Sequence, residues 1–155
     1  MPRTVGVDIG GTKVLGVALD CDAPEHGPLA EARRPTPRGA EALVATVAAV
    51  VGDVLEQVAP SGVAALGVGL PGLIDHDGVL RFGPNLPGIV DLDLEQALAI
   101  NLDLPVVVDN DANCAAWAEH RLGAAAGRDH AVLVTLGTGI GAGLITDGRP
   151  FTGAH

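Results

Sequence analysis

Hydrophobic and polar positions change period several times along this chain. In VGVDIGGTKVLGVALD, from Val5 to Asp20, small and branched residues run on either side of a glycine turn, which predicts two strands joined as a β-hairpin. A short strand is expected near Leu29–Arg34, ended by Pro35 and Pro37. From Gly39 to Ala59 the period lengthens. Leu43, Val47, Val50 or Val51, Val54 and Val58 recur at helical spacing, so a long amphipathic helix is expected, with Pro60 ending it. Val63–Leu70 is a continuous apolar run readable as a buried strand, and Pro71-Gly72 forces a turn after it.

Leu73–Leu86 reads as irregular, with a small hairpin around Asp77-Gly78. Asp91 or Asp93 is a candidate cap for a helix running to about Asn101. Val106–Val108 is a short buried strand, and Ala112–Gly123 an alanine-rich helix closed by glycine. Ala131–Leu136 is expected to be another buried strand. GTGIGAG follows it, then a strand over Gly143–Thr146 with a turn at Asp147-Gly148. The order is α/β: a meander, three helices alternating with strands, and a second meander, which gives a mixed β-sheet flanked by helices.

Composition supports a folded domain with a sizeable aliphatic core. Of 155 residues, only Phe82, Trp117 and Phe151 are aromatic, which argues against stacking platforms for single-stranded nucleic acid. A net charge of −10 makes the surface repel nucleic acid and anionic membranes, so neither is expected as a partner. Any phosphate ligand must be held by local N–H groups and metal. Cys21 and Cys114 are far apart and lack metal spacing, so neither a disulfide framework nor a zinc site is indicated. No signal peptide or spanning apolar run is visible, and a cytoplasmic location is expected.

Three segments carry candidate chemistry. In the first turn, Gly10 and Gly11 permit unusual backbone conformations and close ligand approach, and successive N–H groups there suit a phosphate. Thr12 adds a hydroxyl, and Lys13 is the only lysine in the chain. Asp8 cannot favour a phosphate directly; its natural use is to hold a hydrated Mg²⁺ that bridges phosphates. The plain alternative is a hairpin with a glycine turn. The turn is neither a P-loop nor a dinucleotide fingerprint, because a second strand follows it. Its Asp-x-Gly-x-Thr pattern resembles the sugar kinase, Hsp70 and actin ATPase superfamily.

The second segment is VVVDNDANCAAWAE, where Asp109, Asn110 and Asp111 sit just past the carboxyl end of a strand, the place where open α/β sheets bind ligands. A carboxylate there can take a proton from a hydroxyl, and an Asn can fix two hydroxyls. Capping of the next helix by Asn110 or Asp111 is the structural alternative. The third segment, TLGTGIGAG, can present the N–H groups of a second glycine turn to a phosphate, and a plain hairpin reads it equally well.

Together, DIGGTK at Asp8–Lys13, GLPGLID at Gly69–Asp75, PNLPG at Pro84–Gly88, DNDAN at Asp109–Asn113 and GTGIGAG at Gly137–Gly143 resemble the ROK family of sugar kinases, most closely bacterial glucokinases. The resemblance implies an RNase H-like half-domain of the ATPase superfamily, ATP and Mg²⁺ as cofactors, and phosphorylation of the glucose 6-hydroxyl. It implies a first phosphate loop at Gly10, Gly11, Thr12 and Lys13, and a second at Gly137, Thr138 and Gly139. Asp8 would sit near the metal, Asn85 and Asn110 would bond sugar hydroxyls, Gly72 would line the sugar pocket, and Asp111 would be the catalytic base. Kinases for other hexoses or N-acetylhexosamines, and non-catalytic sugar sensors, share the pattern, and a homodimer is compatible with it. On this resemblance residues 1–155 correspond to an N-terminal lobe with little activity of its own. The zinc motif and adenine pocket would belong to a C-terminal lobe absent from this chain, and His155 precedes the zinc motif rather than matching its histidine.

Overall fold

In the computed structural model, residues 2–58, 62–137 and 139–153 are described. The chain divides into two units, residues 1–109 and 110–155.

The first unit is built on strands β1 (Arg3–Ile9), β2 (Lys13–Asp20), β3 (Ala30–Pro35), β4 (Val63–Leu70) and the later strand β8 (Val106–Asn110), in the order β3-β2-β1-β4-β8. β1 and β2 form the expected antiparallel hairpin, with Ile9 opposite Val14. β3 adds to β2 antiparallel and β4 to β1 parallel, so the sheet is mixed. This strand order is the RNase H-like arrangement expected from the sequence.

Helix α1 (Ala40–Val58) covers β2 and β3. Its buried face is Leu43, Val47, Val50, Val51 and Val54, so both valines left open by the helical spacing are core. Fully burying each such side chain contributes about 1.5–3 kcal/mol. The approach is close because Gly16 of β2 offers no side chain: a Cβ there would stand 2.5 Å from Val50 Cγ1. Residues 59–61 lie outside the described set, and with them the expected stop at Pro60.

Between β4 and β8 the chain forms a small antiparallel sheet of β5 (Leu73–Ile74), β6 (Val79–Phe82) and β7 (Val90–Asp93), then α2 (Leu94–Leu102). The hairpin at Asp77-Gly78 is as expected, but β7 is not. Its two aspartates look like helix caps in sequence, whereas only Asp93 caps α2, accepting the Gln96 N–H at 2.9 Å. Asp91 lies inside β7 with φ of 49°, a conformation Asp tolerates better than most residues.

Two expected buried strands are only half buried. β8 is an edge strand whose Val107 is exposed, and it extends through Asp109 and Asn110 instead of ending at Val108. In the second unit, β9 (Ala131–Leu136), β10 (Ile140–Thr146) and β11 (Arg149–Pro150) form a meander in which β9 alternates half-buried and exposed residues. Helix α3 (Asp111–Leu122), ended at Gly123, packs on β9 and β10. β10 starts at Ile140, earlier than the sequence suggests.

Candidate functional site

In the first unit the candidate residues gather at the carboxyl ends of β1 and β4. These strands run in parallel with Asp8 in register with Gly69, so the β1 end and the Pro71-Gly72 turn share one edge of the sheet. Asp8 is exposed there. The glycine turn follows at once, closed by the Gly10 N–H donating to the Lys13 carbonyl at 2.8 Å. Neither Gly10 nor Gly11 takes a positive φ, which corrects the expectation that the turn needs glycine for its conformation. A Cβ on Gly10 would lie 3.4 Å from the Lys13 carbonyl oxygen, and one on Gly11 3.4 Å from Asn85 Cβ, both ordinary contact distances.

Asn85 therefore lies beside the glycine turn. Two successive turns hold its loop: the Leu86 N–H donates to Gly83 O at 3.0 Å, and the Ile89 N–H to Leu86 O at 3.2 Å. Leu86 and Ile89 are buried as anchors, leaving Asn85 exposed between them and the turn. Gly72 sits behind the same loop. Its φ is +144°, and a Cβ would collide with the Phe82 carbonyl and stand 2.8 Å from Leu80 Cδ1 and 3.1 Å from Gly83 Cα. Gly72 thus supports the loop that carries Asn85.

The small sheet under that loop is pinned by ions. Arg81 reaches Asp75 at 2.7 Å and Asp91 at 2.9 Å. The Asp75 carboxylate also accepts the Asp77 and Val79 N–H groups, each at 3.0 Å. The Val79 N–H, helped by Arg81 and Asp77, holds its pKa below the ordinary 3.8 against the opposing effect of partial burial.

Thr36 has no counterpart among the residues singled out in sequence. Its hydroxyl donates to the Gly10 carbonyl at 2.6 Å, and its N–H donates to the Thr12 carbonyl at 3.1 Å. The only local signal is a hydroxyl residue fixed between two prolines.

The second unit carries the other candidates. Asn110 is the N-cap of α3: its Oδ1 accepts the Ala112 N–H at 2.9 Å and the Asn113 N–H at 3.3 Å, so the capping role is real. Asp111 is the first residue of the helix and is exposed, with its Oδ1 2.9 Å from the Ala112 nitrogen. Gly137 and Gly139 form an exposed turn closed at 2.9 Å, with nothing within 4 Å of where a Cβ would be. Thr138 lies outside the described residues. The later glycines of this segment have a different job. A Cβ on Gly141 would be 3.2 Å from Ala112 Cβ, and one on Gly143 would strike the Ala112 carbonyl, so both let α3 lie against β10.

An open groove of about 510 Å³ in this unit, lined by Ala116, Glu119, Ala124, Arg128, Val132 and Leu133 among others, contains none of the candidate residues. Glu119 there already accepts the Ala124 N–H at 2.8 Å.

The donor set bears on what could be bound. Among the described residues no group of three or more His, Cys, Asp or Glu side chains could hold a metal. Mg²⁺ does not need such a cage, since it keeps several waters and takes one or two carboxylates plus phosphate oxygens. An exposed Asp8 beside a tight glycine turn fits that demand. Zinc, which takes three or four protein ligands, has no comparable donor set among the described residues. No helix of the described residues is long and apolar enough to cross a membrane.

The ROK family profile matches residues 4–155. The chain is 36% identical to a glucokinase of Streptomyces coelicolor over 148 residues, which is 94% of this chain and 44% of that protein. It is 35% identical to an N-acetyl-D-glucosamine kinase of Citrobacter koseri, covering 96% of this chain and 48% of that protein. A crystal structure of a ROK family glucokinase from Streptomyces griseus in complex with glucose and AMPPNP superposes with a TM-score of 0.88 at 37% identity, covering 98% of this chain and 47% of that one. The chain spans about half the length of the curated relatives it matches.

Proposed function

Since the chain belongs to the ROK family, we propose that it carries the phosphate turn, sugar contacts and catalytic base of an ATP-dependent sugar kinase acting on the 6-hydroxyl of glucose. The observation that supports this reading is the proximity of Gly11 to Asn85, which brings the glycine turn beside a side chain able to bond sugar hydroxyls. Phosphoryl transfer proceeds through a loose transition state, so catalysis is mainly positioning and charge neutralisation. The N–H groups of the Gly10–Lys13 turn receive donor phosphate oxygens, and Lys13 adds a positive charge. Gly137, Thr138 and Gly139 form the second phosphate loop. Asn85 and Asn110 hold sugar hydroxyls, with Gly72 keeping the Asn85 loop in place. Asp111 orients the attacking hydroxyl and takes its proton as the oxygen–phosphorus bond forms. Asp8 is the carboxylate that would hold Mg²⁺, which when bound supplies charge neutralisation across the phosphates.

Glucose is preferred over N-acetylglucosamine on the glucokinase relatives, but the identities of 36% and 35% are nearly equal, so both sugars belong in the test. The chain by itself is expected to turn over little, because its kinase relatives are about twice as long. The use of ATP is consistent with the cytoplasm.

The test is a coupled assay of ATP-dependent phosphorylation of glucose and N-acetylglucosamine. It compares this chain with a protein carrying it at the full length of its relatives. Activity on glucose in the longer protein, with Asp111→Asn lowering kcat by about 100-fold or more at nearly unchanged sugar affinity, is the expected result. Normal turnover by Asp111→Asn sinks the base assignment. Silence with both sugars shifts the reading to a sugar-sensing protein.

A further inference from the structure

The hairpin does not hold the phosphate turn alone. Thr36, 26 residues away in sequence, donates its hydroxyl to the Gly10 carbonyl at 2.6 Å and its N–H to the Thr12 carbonyl at 3.1 Å. Both bonds fall on the same short turn, whose closing bond runs from the Gly10 N–H to the Lys13 carbonyl. A trans peptide is planar, so its carbonyl and the N–H that follows point in opposite directions. Holding the Gly10 carbonyl toward Thr36 therefore aims the Gly11 N–H away from it. Holding the Thr12 carbonyl does the same for the Lys13 N–H.

Without this constraint a Gly-Gly step has more conformational freedom than any other pair of residues. Thr36 is itself restrained. Pro37 after it disfavours the helical region for Thr36, and Pro35 before it is paired with Lys13 at the end of β3. The clamp is thus anchored to the sheet through the same hairpin it stabilises.

We propose that Thr36 is a positioning residue for the donor phosphate: its hydroxyl fixes the Gly10–Gly11 peptide plane so that the Gly11 N–H faces the phosphate oxygens. The inference rests on the kinase reading above. It assigns to the β3–α1 connection a role in the donor site, in addition to that of the turn's own residues.

The test uses a protein carrying this chain at the full length of its relatives, with Thr36→Val, which keeps the branched shape and the backbone bond but deletes the donor, and Thr36→Ser, which keeps the donor. Two quantities are read by NMR: the order parameter of the Gly11 amide, and the affinity for Mg²⁺–AMPPNP followed at the Gly10–Lys13 amides. Loss of one hydrogen bond predicts about 10-fold weaker nucleotide binding in Thr36→Val. A more mobile Gly11 amide and an unchanged melting temperature should accompany it, and Thr36→Ser should restore both readouts. Equal affinity and equal order in Thr36→Val overturn the proposal. So does a Thr36→Ser variant as weak as Thr36→Val, because the methyl contact would then be what matters. A full-length wild-type protein whose turn amides do not respond to nucleotide overturns the donor-site reading itself, and does so without any substitution.

Discussion

Gly11 lies beside Asn85: a Cβ built on Gly11 would stand 3.4 Å from the Asn85 Cβ and 3.6 Å from its carbonyl oxygen. The glycine turn and the PNLPG loop, 74 positions apart, are thus neighbours within the first unit. Because Gly11 does not take a positive φ, a larger residue there is opposed by Asn85 and not by its own backbone. Gly11→Val should therefore weaken sugar and nucleotide binding together. Gly10→Ala, whose Cβ would sit at an ordinary 3.4 Å from the Lys13 carbonyl oxygen and near no other residue, should leave sugar binding unchanged. Calorimetric titration of glucose and of Mg²⁺–AMPPNP separates the two. A double-mutant cycle between Gly11→Val and Asn85→Ala should show a coupling of about 0.5 kcal/mol or more; strict additivity would falsify the contact.

Gly72 should be the least replaceable glycine of the first unit. It combines a φ of +144° with collision against the Phe82 carbonyl, which is backbone and cannot swing aside. Gly72→Ala should cost on the order of 2 kcal/mol beyond its conformational cost in urea unfolding. Gly27 is the control: its φ is +83° and its ψ −174°, but nothing lies within 4 Å, so alanine there carries only the conformational cost, on the order of 1–3 kcal/mol. Equal losses at the two sites would show that conformation, not the loop contact, sets the requirement for glycine at position 72.

Gly72 also shows what was legible in the sequence. Pro71-Gly72 announced a turn by residue type, and the hairpins and α1 announced themselves by period. Asn110 and Asp111 stood at a strand-to-helix junction, where capping and catalysis ask for the same side chains. The sequence could not separate those roles, and Asn110 does cap. Thr36 was hidden because a side chain bonding a carbonyl 26 residues away leaves no periodic trace. Gly141 and Gly143 were misleading in the opposite sense. They belong to a phosphate-loop motif by sequence, but sit where α3 needs a bare backbone. β7 was missed because aspartates at 91 and 93 are poor strand residues, and cross-strand pairing with β6 overrides that preference.

Asp75 gives a pH dependence with a defined sign. Its folded pKa lies below the ordinary 3.8, first through the Val79 N–H and then through Arg81 and the Asp77 N–H. A carboxylate shifted downward contributes stability that is fully present above its unfolded pKa and is lost as pH falls through the folded one. The affected window therefore lies below about pH 4. Thermal unfolding of the wild-type chain should fall more steeply on acidification in that range than that of Asp75→Asn. Because the Val79 N–H is the largest single cause, Arg81→Met, which removes both the hydrogen bond and the charge of Arg81, should reduce the steep fall but not abolish it. Abolition of the difference by Arg81→Met would leave the Val79 bond no part in it.

The second unit exposes an apolar strip. Leu136 and Ile140 face each other across the β9–β10 pair and are 79% and 81% exposed, with Val132, Val134 and Leu144 exposed on the same face. The opposite face of these strands is the one α3 covers, through Ala112 and Ala116 against Gly143. A contiguous apolar face of this kind drives association when nothing covers it. The 155-residue chain should therefore self-associate at micromolar to millimolar concentration in sedimentation velocity. The double substitution Leu136→Glu and Ile140→Lys puts a cross-strand charge pair in place of the most exposed apolar pair, so the fold should survive while association falls. Association unchanged by that double substitution would move the contact to another surface.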